Sequence, residues 1–532
     1  MFLLVALFAC SPAPAPSEET PDAVVTALRI EPAVATLHTG PTGGEPLQFS
    51  VVATFEDGRS GQLDAAEWSL SNRTAGTIDE TGLFVPTSSN GAITWVTARF
   101  DGQEATAELT VVYDDEIVVD GAPTTGFGGR ATEISGMWLY PENGVNFPRN
   151  TPSIAFQWSD AGADGYQLRF TGSTTNLSVY TTGTSWSADV DTWARLVGAN
   201  AGATLEVELR ALLGGSPVAE KRTLNVNRMD GDGTIYYWST SASGVRRVPY
   251  GGTAEDYLTA ANTGRCIGCH VLSSTGDFAF TYDGGDGGLG VKDLETGADI
   301  VASGSGLVGN FKTYDPDGRY LLTTYQGALL LHDAVTGTFL WEVPVDGTAT
   351  QVDWSPTGTE VALVLSGAHS ADWVFTNGQL AVMEHLGDGT FGNPRVIYTP
   401  DPGYNAYYPV FSPDGRWIAF NVSTGDSYDD PDANVYVISA AGGTAVPLAA
   451  ANQTDGITNS WPRWGPLPDD DVLWLAFSSK RAYGAVNAGF PQIWVTAFDP
   501  TRARDGLDPS WPAFWLPGQD PAQSNHIPVW TE

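Results

Sequence analysis

The sequence predicts an all-β chain, two sandwich modules followed by a closed ring of sheets, and three observations predict it. The 532 residues include 61 Gly and 34 Pro. These divide the chain into short Val-, Thr-, Tyr- and Trp-rich runs that alternate with the period of strands, and no long segment keeps the 3.6-residue period of a helix. A run that begins with a large apolar residue and ends in a turn glycine recurs at Leu272–Gly276, Tyr314–Gly318, Trp354–Gly358 and Phe411–Gly415, with a shortened copy at Trp464–Pro466. Gly276, Gly318, Gly358 and Gly415 stand 42, 40 and 57 residues apart, and a step near forty is the length of one four-stranded propeller blade.

The bulk properties limit the function. At 42% hydrophobic residues the chain can fill several cores, and its length exceeds one ordinary domain. With 25 Lys+Arg against 62 Asp+Glu, a formal charge of -37, the surface repels phosphate backbones and offers no basic stripe, which excludes nucleic acid as a partner. The acidic loop from Gly425 to Asn434 carries Asp426, Asp429, Asp430 and Asp432. It lacks the spacing of an EF-hand and reads as a solvated loop.

Residues 1–25 read as an export signal and linker. Met1 to Ala9 are apolar, Cys10 follows the small Ala9, and a Pro/Ser/Glu-rich stretch continues to Asp22. Nine apolar residues are too few to span a bilayer as a helix. The run Leu7-Phe8-Ala9-Cys10 resembles the lipobox of bacterial lipoproteins. That resemblance implies cleavage before Cys10, acylation of Cys10, and a membrane-anchored protein of the periplasm or outer-membrane surface.

Residues 26–113 read as a β-sandwich without a disulfide. Through Leu28-Arg29-Ile30-Glu31-Pro32, Phe55-Glu56-Asp57-Gly58, Trp68-Ser69-Leu70-Ser71-Asn72, Gly82-Leu83-Phe84 and the segment from Ala105 to Val111 it resembles bacterial Ig-like group 2 (BIG2) domains, which implies a spacer or adhesive role. An acidic, Gly-rich linker spans 114–134. Residues 135–228 form a second sandwich on Phe156-Gln157-Trp158, Tyr166–Phe170 and Leu205–Ala211, similar to fibronectin type III and Ig-like modules, with Trp158 expected in its core.

Residues 229–532 carry the repeats. In each, an aromatic or Leu ends an inner strand and a Gly takes the left-handed position of a tight hairpin. An alternating strand such as Arg416-Trp417-Ile418-Ala419-Phe420 follows. Five copies need a closure. The segment Ile235–Ser239 with Val245–Val248 has an outer hairpin's pattern but no inner strand before it, and Ile527-Pro528-Val529-Trp530 matches the inner-strand entry Tyr408-Pro409-Val410-Phe411. The two ends of the array are therefore expected to complete a sixth blade together and remove the open edge. The expectation is six blades, with seven as the alternative. The repeats resemble those of TolB-type and WD40-like periplasmic propellers.

Three cysteines are too few for a disulfide framework. With Cys10 in the signal, Cys266 and Cys269 remain, in the run Cys266-Ile267-Gly268-Cys269-His270. A redox Cys-x-x-Cys wants a βαβ setting, and a zinc site wants two further ligands at close spacing; neither is present in the sequence. The run is similar to the attachment motif of c-type cytochromes. That resemblance implies one covalent haem c, thioether bonds from Cys266 and Cys269 to its vinyl groups, and His270 as an axial ligand.

His526, on the strand-entry segment of the adjacent blade, is the expected sixth ligand. Met383 or an open position is the alternative, whereas His332 reads as structural and His38 as too remote. The expected function is a cell-envelope monohaem cytochrome passing single electrons to a redox partner protein or another cytochrome. A partner- or glycan-binding propeller lipoprotein without redox turnover and a haem enzyme with an open distal site are the alternatives. No catalytic triad order, carboxylate pair or phosphate loop is legible, so a carrier or binding protein is favoured over an enzyme.

Overall fold

The computed structural model describes residues 24–283, 287–466, 472–486 and 489–531. The expected signal and Cys10 lie outside the described residues. The chain forms two compact units, one ending at Asp115 and one running from Glu116. Among the described residues no helix is long and apolar enough to cross a membrane.

The first unit is a sandwich. Val25–Glu31, Ser50–Phe55 and Ser60–Leu63 pair in order in one sheet, while Ala92–Phe100 pairs with Glu67–Leu70 and with the long strand Gln103–Val118 in another. Val34–Thr39 joins that long strand in parallel. Along Ala92–Phe100, Thr94, Val96 and Ala98 point inward and Ile93 and Trp95 outward, the alternation of a half-buried strand. Ile30, Phe49, Val51, Phe84, Val96 and Leu109 fill the core.

The second unit opens with another sandwich. Thr175–Thr181, Tyr166–Thr171, Ala203–Leu213 and Ser216–Val226 pair in sequence in one sheet, and Trp138–Tyr140, Ala155–Trp158 and Ser185–Ser187 form a second. Trp158 is in its core. One helix, Val190–Ala199, was not expected: Asp189 caps it by accepting from the Thr192 N–H at 2.8 Å, and it buries Trp193, Leu196 and Val197. Ten residues give too few turns for a helical period to stand out.

This sandwich shares its core with the ring that follows. Phe147 meets Phe514 edge-on at 6.2 Å, the Tyr140 hydroxyl accepts from the Trp515 N–H at 3.2 Å, and Gln157 Oε1 accepts from the Ala485 N–H at 3.0 Å.

Among the described residues, six sheets of four or five strands follow in chain order from Thr234, and together they form a β-propeller. Their inner strands are Asn525–Thr531, Ile267–Leu272, Phe311–Tyr314, Thr348–Trp354, Asn405–Phe411 and Ser460–Trp464, and each packs against the next around a central channel. The last strand closes the ring. Asn525–Thr531 pairs antiparallel with Thr234–Ser239 and packs on the inner strands to either side, so no sheet edge is left open there.

The hairpins form as their residues require: Gly415 donates to the Ser412 carbonyl at 2.8 Å with φ +70°. The 57-residue step is accounted for in the fourth sheet, which carries an additional hairpin, His369–Ala371 with Val374–Phe375, and a fifth strand.

Met383, the alternative ligand, and His332, read as structural, both lie away from the channel. Met383 is on the third strand of the fourth sheet, Gln379–Gly387, and is packed against Leu331, Trp354 and Leu363. This corrects the expectation that it could serve as sixth ligand: the third strand of a blade is too far from the channel. His332 is buried on the third strand of its own sheet, with Nε2 3.1 Å from Thr323 Oγ1.

Candidate functional site

The propeller channel is crossed by side chains from one repeating irregularity. Four inner strands shift register against their neighbour strand, between Ile267 and His270, Thr350 and Asp353, Tyr407 and Val410, and Ser460 and Arg463. The closing strand does the same around Ile527. In each bulge one extra residue opposes the partner strand. Gln351, Tyr408, Trp461 and Ile527 stand there with φ of 51°, 52°, 57° and 54°, a region that large side chains seldom enter.

Their geometry is held by neighbours. The Tyr408 N–H donates to Gln351 Oε1 at 2.8 Å, the Trp461 N–H to Asn421 Oδ1 at 3.0 Å and the Ile527 N–H to Ser478 Oγ at 3.1 Å. With Cys269 and Phe311 from the two remaining blades, these residues make a plug of six side chains, one from each sheet, around a small cavity. The Tyr408 and Trp461 rings stack at 3.7 Å within it.

On the strand-entry side of the plug lies an open basin of about 210 Å³. Cys266 and Cys269 both line it, with Trp238, Phe311, Trp373, Tyr408, Tyr428 and Trp461 as walls. The bulge turns Cys269 toward this basin and His270 away from it. Gly268 is needed at the bend, because a Cβ there would come 2.9 Å from Thr281 Oγ1. Burial, with the negative charge of Asp283 adding, raises the pKa of the Cys266 thiol.

His270 is 4% exposed and stacks on Phe278 at 5.3 Å, and neither ring nitrogen has a hydrogen-bond partner. Burial, with the Lys312 charge adding, pushes its pKa down to about 3, so the ring is neutral. His526 is also buried and sits against Trp238 at 4.9 Å and Tyr428 at 6.3 Å. Both of those rings wall the basin, and His526 itself does not line it.

The small cavity within the plug, of about 30 Å³, is lined on its far side by His270, Lys312, Val352, Pro409 and Arg463. Lys312 and Arg463 escaped the sequence reading, although a signal was present. Counted back from the repeat's Leu272 and Tyr314, Lys312 occupies the same position as His270. Reading the repeats column by column, rather than for their turns, would have found a buried lysine where other blades have Val352, Pro409, Pro462 and Pro528.

The acidic loop's carboxylates are engaged locally, Asp429 with Lys480 at 2.6 Å, Asp426 with the Tyr428 N–H at 3.1 Å and Asp430 with the Asp432 N–H at 2.8 Å. Among the described residues no cluster of three His, Cys, Asp or Glu side chains could hold a metal ion. The site chemistry suits a haem in two respects: two thiols open onto one flat aromatic basin, and the adjoining imidazole is buried with both nitrogens orphaned. To face that basin the imidazole must leave its Phe278 stack.

No protein-family model and no curated protein matches the chain. Among solved structures it is similar to TolB from Acinetobacter baumannii, at 14% identity over 61% of this chain and 79% of that one, TM-score 0.38. It is similar to a putative TolB from Agrobacterium tumefaciens at 17% identity over 54% and 89%, TM-score 0.33. A third likeness is to dihydro-heme d1 dehydrogenase NirN, at 15% identity over 54% and 55%, TM-score 0.34. These are likenesses of fold.

Proposed function

We propose that the chain is an exported c-type haem protein of the cell envelope that passes single electrons to or from a redox partner protein or another cytochrome. The observation that carries this reading is that Cys266 and Cys269 line one aromatic basin while His270, next in the chain, is buried with both nitrogens unpartnered. Haem, when bound, supplies a one-electron couple at its iron.

The chain's own residues do the rest. The two thiols would hold the ring over the basin, and Trp238, Phe311, Trp373 and Trp461 offer flat apolar faces that would exclude water from it. His270 turns from Phe278 to present its neutral imidazole, the form able to donate an electron pair to a metal. Cys10 is the proposed lipid anchor, which would place the chain in the periplasm or at the outer-membrane surface with the first sandwich as a spacer.

A second reading concerns the distal face. His526 is the proposed sixth ligand, yet Trp238 packs on it and lines the basin in its place. That position favours a face that small molecules can reach, as in a haem enzyme. Carbon monoxide separates the two: rapid binding to the reduced protein marks an open face, and no binding until His526→Ala marks a filled one.

The main test is a reduced-minus-oxidised absorption spectrum with a pyridine haemochrome assay, on protein made alongside the c-type maturation machinery. A covalent c-type spectrum that is lost in Cys266→Ala/Cys269→Ala is expected. No haem in either protein would remove electron transfer from consideration and leave a partner- or glycan-binding propeller.

A further inference from the structure

The channel beyond the plug carries positive charge that the surrounding protein does not match. Lys312, from the third sheet, is 7% exposed, and the hydrogen bond its ammonium makes is to the Asn310 carbonyl at 3.3 Å. Arg463, from the sixth sheet, donates through Nη1 to the carbonyl of its own neighbour Pro462 at 3.1 Å. Both line the cavity of about 30 Å³. Among the described residues, neither has a carboxylate within ion-pair distance.

The carboxylate whose charge acts on Arg463 is that of Asp353, and its Oδ2 already accepts from the Phe411 N–H at 2.8 Å. Around this cavity two cations, Lys312 and Arg463, face one carboxylate, Asp353. A chain with 62 acidic and 25 basic residues has nevertheless placed two of its few cations beside this cavity with Asp353 as the carboxylate acting on Arg463. A buried charge such as that of Lys312, with no carboxylate partner, is strongly unfavourable, so the arrangement calls for an anionic group supplied from outside.

The size of the cavity defines that group. About 30 Å³ is the room of one water-sized or carboxylate-sized group. The cavity shares Cys269, Asn310, Phe311, Tyr408 and Trp461 with the basin on the other side of the plug. A carboxylate can therefore arrive in two ways, as a free small molecule or as an arm of a ligand seated in the basin.

We infer that Lys312 and Arg463 form a binding site for one carboxylate group inside the propeller channel. If the carboxylate is an arm, it is a propionate of the haem, and that form of the inference rests on the proposed function; the free form does not.

The test uses thermal unfolding of the full chain, prepared without and with haem, in sodium formate and in sodium methanesulfonate at equal ionic strength and neutral pH. Formate is the smallest carboxylate and closest in size to the cavity, and methanesulfonate is bulkier. In the unloaded chain formate is expected to raise the unfolding temperature saturably, by on the order of 2 °C beyond methanesulfonate. Lys312→Met and Arg463→Gln should each abolish that difference.

Loss of the formate effect on loading identifies the haem arm as the occupant, and its persistence identifies a free carboxylate. Equal responses to the two anions in every form of the protein would overturn the site. If Lys312→Met does not fold, saturation transfer between the wild-type chain and ¹³C-formate decides, and its absence overturns the inference equally. A chain that never takes up haem would defeat the proposed function while leaving the formate response of the unloaded chain as a separate result.

Discussion

The inner strands Asn405–Phe411 of the fifth sheet and Ile267–Leu272 of the second occupy the same place in the repeat and carry the same bulge, but they differ in what they expose. Every residue of Asn405–Phe411 is buried. Its Tyr408 stacks on Trp461, its Tyr407 hydroxyl donates to Ser423 Oγ at 2.8 Å, and its Phe411 N–H is held by Asp353. In Ile267–Leu272, by contrast, Ile267 and His270 alone are buried, and His270 has no polar partner. One strand is buried along its whole length, although its Tyr408 hydroxyl also lacks a hydrogen-bond partner, and the other combines an open thiol with an orphaned imidazole. The ring therefore gives all six inner strands a structural role, and the second strand departs from it where chemistry is proposed.

The largest test of that structural role removes an inner strand altogether. A chain ending at Ser524 lacks Asn525–Thr531, which pairs with Thr234–Ser239 and touches the inner strands on both sides. Loss of the single cooperative unfolding transition of the propeller is expected by calorimetry, because the ring regains an open sheet edge. Retention of one sharp transition at the original temperature would mean that closure by the last strand contributes little.

A smaller perturbation acts on the filled side of the comparison. Trp461 is 4% exposed, stacks on Tyr408 and meets Phe311 at 6.0 Å. Trp461→Ala should lower stability by about 3 to 5 kcal/mol in denaturant titration, from lost burial plus the cavity left in the plug. A loss under about 1 kcal/mol would show that the plug is not packed as described.

Two buried histidines sharpen the contrast further. His332 has a partner in Thr323, and burial pushes its pKa down from 6.5 to about 4. Its folded state resists protonation, so the unfolded chain binds more protons between these values. The stability due to neutral His332 is present above about pH 6.5 and is lost as pH falls toward 4. Between pH 7 and pH 4 the wild type should lose about 3 kcal/mol relative to His332→Gln. Parallel pH profiles for the two proteins would show that His332 titrates as it does in the unfolded chain.

The same contrast explains what the sequence revealed. The glycine spacing located the repeats, and the match of Ile527–Trp530 to Tyr408–Phe411 located the closing strand, because turns and strand alternation are local properties of the chain. The pairing of Cys266 with Cys269 on one surface was legible for the same reason. The aromatic basin was not, since Trp238, Trp373, Tyr428 and Trp461 come from four distant stretches and meet only in the closed ring. Nor was the direction of His270, which depends on a bulge opposite Thr281 that no local pattern announces. Helix Val190–Ala199 was too short to show a period, and the sharing of one core between the second sandwich and the propeller rests on contacts hundreds of residues apart, such as Tyr140 with Trp515.

The smallest expected effect is the one that addresses the open side of the comparison most directly. If His270 were a structural residue like His332, replacing it would cost stability. Its nitrogens have no partners, however, and its ring stacks on Phe278 within 20° of parallel. An apolar ring of similar shape would keep the stack and remove two unsatisfied polar atoms, whose burial costs about 1 to 3 kcal/mol. In protein without haem, His270→Phe should therefore unfold at the same temperature as wild type or a few degrees higher. If His270 is the proposed iron ligand, the same change in haem-loaded protein should alter the absorption spectrum. Destabilisation of the unloaded chain together with an unchanged loaded spectrum would return His270 to the class of His332.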